Sequence, residues 1–181
     1  MASSQFARRR DGGVTFNVAP DEAPVLRGLL LQLADLVEPE DIPVDADPLA
    51  AMVGIGTATQ APDDPVLARL FPDAYADDPD AAGEFRRYTE EGLRTRKYAG
   101  ALLAITTLDD PGHKRRLSPD EVAAWLGALN DLRLALGTRL DVQEDWSEQV
   151  EALAEDDPDR TSFLVYDWLS WLQDTLVRCL G

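Results

Sequence analysis

The sequence predicts an all-α fold: a single domain over residues 1–181, built as a bundle of about five helices with a short N-terminal β-hairpin and a Pro/Asp-rich connector. Three observations predict it. Apolar residues recur at helical spacing, as in Leu129, Leu132, Leu136 and Leu140. Helix starts are marked, most clearly where Ser118, Pro119 and Glu121 form a capping box with proline at the first helical position. Seven of the twelve prolines lie between residues 38 and 82, which forbids a long helix there.

Each element follows in order. Two extended runs flank Asp11-Gly12-Gly13, and Asp-Gly tolerates the positive φ of tight turns, so residues 5–18 read as the hairpin. A helix then starts near Pro20, with Asp21 and Glu22 in its first turn, runs through "APVLRGLLLQLADLV" and stops before Pro39. Residues 38–82 form an irregular connector with two short helices, near 48–53 and 65–71, mobile around 38–46 and 56–63. A long helix follows through "DAAGEFRRYTEEGLRTRKYAGALLAITTL" and ends before Asp109-Asp110-Pro111-Gly112. The capped helix from Ser118 comes next, then a short helix near Trp146–Ala154. The last helix, "DRTSFLVYDWLSWLQDTLVRCL", is polar along Asp167, Ser170, Asp174 and Arg178.

Composition narrows the chemistry. A chain of this length buries roughly 70% of its unfolded surface. Its net charge of −17 disfavours nucleic acid and anionic membranes, and favours a basic partner. Cys179 is the only cysteine and reads as a small buried hydrophobe. His113 is the only histidine, in the turn-like "PGHKRR". No multi-cysteine zinc site and no intrachain disulfide can form from these residues. No signal peptide is visible, and no stretch approaches the ~20 apolar residues of a membrane span. A cytoplasmic protein without cofactor, metal or catalytic residues is expected.

Other motifs are weaker. "DAYADDPD" groups Asp73, Asp77, Asp78 and Asp80 but lacks the spacing and glycine of a calcium loop, so a solvated acidic loop is expected. "HKRR" (113–116) and "RRR" (8–10) are the basic clusters and read as solvated loops. Residues 113–136 invite comparison with helix-turn-helix, Gly127 taking the place of the turn glycine. The segment after it offers Leu129, Leu132, Leu134 and Leu136, which want a core rather than base edges.

Arg133 raises the sharpest question, because it lies within the leucine stripe, four residues after Leu129 and three before Leu136. Arg96 falls among Phe85, Gly92, Ala99 and Leu103 on the apolar side of the long helix. Asn130 borders the stripe, and Asp131 points to the other side among small residues. The favoured reading is a buried network of Arg96, Asn130, Arg133 and one or more carboxylates drawn from Glu90, Asp131 and Asp167, since an unpaired buried charge costs several kcal/mol. The alternative is a site in which Arg96 and Arg133 grip a small anion. Trp168 and Trp171, with Phe163 and Tyr166, offer core aromatics, part of whose face a second chain could share; Tyr166, Trp168 and Trp171 are the candidate interface residues.

Three stretches, "DDPVLARLFPDAY" (63–75), "WLGALNDLRLALGTRL" (125–140) and "YDWLSWLQDTLV" (166–177), together resemble a bacterial family of unknown function, numbered two thousand and seventeen in that series. The likeness covers about residues 14–180. It implies genomic company: the adaptor of the Clp protease, a metal-dependent isopeptidase-like hydrolase and a sulfur-carrier system. Some members carry a "transcriptional regulator" label, and the family offers no catalytic residues to transfer. The expected function is a non-catalytic protein-interaction or regulatory module, linked through that company to Clp-type proteolysis. Its partner is a protein, with a homodimer open. The alternatives are a DNA-binding regulator using residues 113–136 and an anion binder around Arg96 and Arg133.

Overall fold

A computed structural model describes residues 4–39, 58–75, 77–110, 112 and 114–181. The short helix expected at 48–53, most of the 38–46 stretch and His113 lie outside the described residues.

The hairpin forms as expected. β1 (Gln5–Arg8) pairs antiparallel with β2 (Val14–Asn17), Arg8 opposite Val14. Gly12 takes φ +84° in the turn, the conformation that only glycine adopts freely. A third strand was not foreseen. β3 (Lys114–Leu117) adds antiparallel to β2, so the basic stretch is a sheet edge rather than a loop. The other edge, β1, is covered: the Phe6 N–H donates to Thr175 Oγ (3.1 Å) and Arg8 Nη1 to the Gly181 carbonyl (2.7 Å).

Six helices are described, one more than expected: α1 (Ala23–Val37), α2 (Pro65–Leu70), α3 (Pro79–Asp109), α4 (Pro119–Arg139), α5 (Trp146–Ala152) and α6 (Pro158–Leu180). Their starts follow side-chain chemistry. Proline occupies the first turn of α2, α3, α4 and α6. Asp64, Asp78 and Asp157 cap α2, α3 and α6, and both halves of the Ser118–Glu121 box are made (3.3 and 2.7 Å). The connector thus ends at Asp78, earlier than residue 82. Helix α1 begins three residues later than Pro20, after a turn closed on the Ala19 carbonyl, and the Glu22 carboxylate accepts the Ser4 N–H (2.7 Å).

The capped helix α4 is the centre of the molecule. It touches α1, α2, α3, α6 and β3, and Ala128, Leu129, Leu132 and Ala135 are buried beneath them. Trp125 is fully buried, edge-on to the stacked Phe6 and Phe16 rings, and its Nε1 donates to Thr107 Oγ (2.7 Å). That one side chain joins sheet, α3 and α4. No helix among the described residues is long and apolar enough to cross a membrane.

Candidate functional site

Helix α3 places three of its charges inward. Arg86, Glu90 and Arg94 stand four residues apart on one face and are each under 9% exposed. Glu90 receives Arg86 Nη1 on one oxygen, and Arg94 Nε (3.1 Å) and Nη2 (3.0 Å) on the other. Arg86 Nη2 reaches across to the Phe71 carbonyl (2.9 Å) and to Asp73 (2.7 Å). The Phe71 ring lies beneath the Arg94 guanidinium, 4.5 Å from its centroid. Burial works against the Arg86 charge, but the hydrogen bonds to Asp73 and Glu90 outweigh it and hold the guanidinium pKa above its ordinary value. The whole is a clamp that fixes the segment after α2 onto α3. Part of the acidic "DAYADDPD" stretch is therefore structural, since Asp73 binds Arg86 and Asp78 caps α3.

The charge ladder was overlooked because alternating charges at i, i+4 usually mark a solvated helix face. The opposite face confirms the reversal. Phe85, Gly92 and Ala99, read as the core side of α3, are exposed, and Arg96 is exposed with them.

Arg133 ties helices together, as the favoured structural reading expects, but through neutral partners in place of a carboxylate. Its Nε donates to Ser170 Oγ (2.8 Å) and its Nη1 to Gln173 Oε1 (2.7 Å), while the guanidinium sits 5.6 Å from the Tyr166 ring centroid. All three partners are uncharged and all lie on α6. Gly137, one turn on, makes room for Tyr166: a Cβ there would meet its ring at 3.2 Å. Arg133 is a half-buried tie between α4 and α6, not a member of a carboxylate network.

The remaining predicted residues gather elsewhere. Asp131 is 4% exposed and paired with Lys97 (2.6 Å) rather than with either arginine. Arg96, Asn130, Lys97 and Asp131 line an open cavity of about 480 Å³ between α3 and α4, floored by Gly100, Ala124 and Ala128. Arg133 does not reach it, so the structure does not assemble the anion grip. A leucine-lined cavity of about 410 Å³ lies between α1, α4 and α6, with Arg139 among its lining residues.

The α6 aromatics divide. Phe163 is buried against Trp146, and Tyr166 meets the Trp146 edge. Trp168 is half-buried, packed on the core, with its buried Nε1 unpartnered among the described residues. Trp171 is 40% and Leu164 67% exposed, one above the other two turns apart, beside the exposed Asp167 and Asp174.

The helix-turn-helix geometry is absent from residues 114–136. β3 leads into α4, which runs unbroken through Gly127, and Leu129 and Leu132 are buried. Arg115 turns inward to cap α3: Nη2 donates to the carbonyls of Leu108 (2.8 Å) and Asp110 (2.9 Å). Burial lowers its pKa, against the pull of Asp110 and Asp109.

The comparisons with known proteins agree with the resemblance. The chain is 34% identical over 178 residues to a Mycobacterium tuberculosis protein named "Oxidative stress regulator AosR", covering 91% of this chain and 80% of the relative. The Mycobacterium bovis protein of the same name matches to the same extent. No solved structure matches. With a family match running over residues 3–180, the chain belongs to the family described as Domain of unknown function (DUF2017).

Proposed function

We propose that the chain is a non-catalytic regulatory module that works in the cytoplasm through contact with another protein. What supports this best is the division of labour among its side chains. Of the polar groups suspected of chemistry, Glu90, Asp131 and Arg133 are engaged by partners inside the fold, while Arg96 and Asn130 are exposed at the edge of an open cavity. Large apolar groups, Leu164 and Trp171 on α6, stand in solvent beside Asp167 and Asp174. Exposed tryptophan rimmed by polar groups, Asp167 and the Asp174–Arg178 pair, suits an interface anchor, and the net charge of −17 suits a basic partner. The regulator names of the relatives point the same way.

Affinity capture from the native host, with and without peroxide, tests the reading when wild-type and Trp171→Glu baits are run side by side. A protein held by the wild type and lost from the variant is the expected result. Its identity assigns the module to oxidative-stress control, as the relatives' names suggest, or to Clp-type proteolysis, as the family's genomic company implies. Equal capture by both baits overturns the α6 contact.

A further inference from the structure

Between Phe85 and Leu102, helix α3 is built inside out. Its charged ladder is buried, while Phe85, Tyr88, Gly92, Thr95, Ala99 and Leu102 are all exposed. These six are spaced 3, 4, 3, 4 and 3 residues apart, the a/d repeat of a coiled-coil seam. A solvated helix face in so acidic a chain should carry charge; this seam carries none. Phe85, Tyr88 and Leu102 are 45%, 56% and 40% exposed. Tyr75 shores up one end, edge-on to Phe85 with ring centroids 5.9 Å apart.

Gly92 adds an independent observation. Glycine inside an exposed helix weakens it relative to alanine. Nothing in the fold asks for one here: its φ is not positive, and a Cβ would meet nothing within 4 Å. Close approach of a second helix would ask for one, because interaxial distance depends on the side chains at the crossing.

We propose that α3 pairs antiparallel with α3 of a second copy of this chain along the seam. Setting Phe85 against Leu102 of the second copy places Tyr88 on Ala99 and Gly92 on Thr95. Tyr88 then meets a small residue, the close Gly92–Thr95 pair lies at the centre, and the same Phe85–Leu102 pair closes both ends, so the contact is symmetric and does not splay the helices. The flanks accept this alignment, since Glu91 falls beside Tyr98 and Arg96 beside Thr89 of the second copy, with no like charges opposed. A parallel pair gains Glu91–Arg96 contacts but sets aromatic on aromatic at one end and glycine on glycine beyond it, forcing the axes apart as a wedge. Exposed ion pairs contribute too little to offset that loss of packing. Net repulsion between two acidic copies is screened over about 8 Å at physiological ionic strength, so the dimer tightens with added salt. This pairing uses α3 and does not depend on the α6 contact.

Sedimentation velocity of the full chain from 1 to 100 μM, at low and high salt, tests the pairing. A concentration-dependent dimer, stronger at high salt, is expected. Tyr88→Ser and Gly92→Leu should each weaken it at least tenfold with an unchanged circular dichroism spectrum, since both sites are exposed in the single copy. Orientation follows from a spin label on Asp80→Cys. The antiparallel register separates the two labels by about 40 Å along the axis, at 1.5 Å per residue, whereas a parallel pair leaves them separated by little more than the interhelix distance. A chain that stays monomeric at 100 μM overturns the proposal. So does a dimer indifferent to both substitutions, a short label distance, or a monomer whose capture of another protein depends on Tyr88.

Discussion

Arginines inside neighbouring helices do different work, and the difference sets their expected effects. Glu90 holds Arg86 and Arg94 together in a site from which water is nearly excluded. Glu90→Ala removes the carboxylate that two buried guanidinium groups share, and should destabilise the protein by about 3–5 kcal/mol in urea unfolding. Arg133 is half-buried and bonded to neutral acceptors, so Arg133→Ala should cost only about 1–2 kcal/mol, the range of ordinary hydrogen bonds and lost stacking. A larger loss at Arg133 than at Glu90 would reverse this assignment. Cys179 gives a pH-dependent counterpart. Burial raises its thiol pKa, against the weaker pull of Arg8, so the native state holds that proton more tightly than the unfolded chain. Its contribution to stability is complete below the ordinary thiol range and is lost as pH rises through the raised value. Alkylation of Cys179 near neutral pH should therefore be slow in the native protein and fast in denaturant; equal rates would show an open thiol. A response to oxidants by disulfide formation within these 181 residues is excluded by the count of one.

Among the elements, those whose start and burial are both encoded locally were readable from the sequence. The Ser118 box fixed α4 to within a residue, and Asp11-Gly12-Gly13 fixed the hairpin. β3 was not readable, because Lys114-Arg115-Arg116 lacks the β-branched and aromatic residues of a strand and gains its place only by pairing with β2. The polarity of α3 was not readable either. An amphipathic pattern shows that a helix has two faces; which one is buried depends on what packs against it, and here Phe71 and Asp73 arrive from a distant turn. The connector was read as loose at 56–63, yet the Thr59 carbonyl lies so near Gly83 that an added Cβ would stand 2.7 Å from it. Gly83→Ala must push that backbone away and should destabilise by about 1–3 kcal/mol, although alanine is the better helix former. The same exchange at Gly92, where space is open, should be neutral or mildly stabilising in a single copy. Thermal melts of the two variants at low concentration separate the cases, and matching shifts would mean that the segment around Thr59 is not docked.

At the scale of the whole molecule the question is which large partner such a surface can meet, and the charge balance weighs against duplex DNA. The first basic cluster sits at the hairpin turn, Arg8 level with Val14 and Leu117, while the second runs along β3 from Arg116, level with Thr15 and Ala7, to Lys114, level with Asn17 at the far end of the strands. Their members are partly spent already, Arg8 on the Gly181 carbonyl, Arg9 on Asp11, and Arg115 on the end of α3. Few cations are left to displace counterions, against a net charge of −17 that repels the phosphate backbone. Nonspecific DNA-binding proteins reach dissociation constants of about 10⁻⁴ to 10⁻⁶ M at physiological salt. The expectation here is weaker binding than that, with no steep salt dependence. Fluorescence anisotropy with a labelled random duplex, read between 50 and 200 mM salt, checks it. Submicromolar, salt-sensitive binding would mean that the basic sheet edge and hairpin turn act together, and would return the regulator to the DNA. Its absence leaves regulation to protein contacts, where the acidic surface is an advantage.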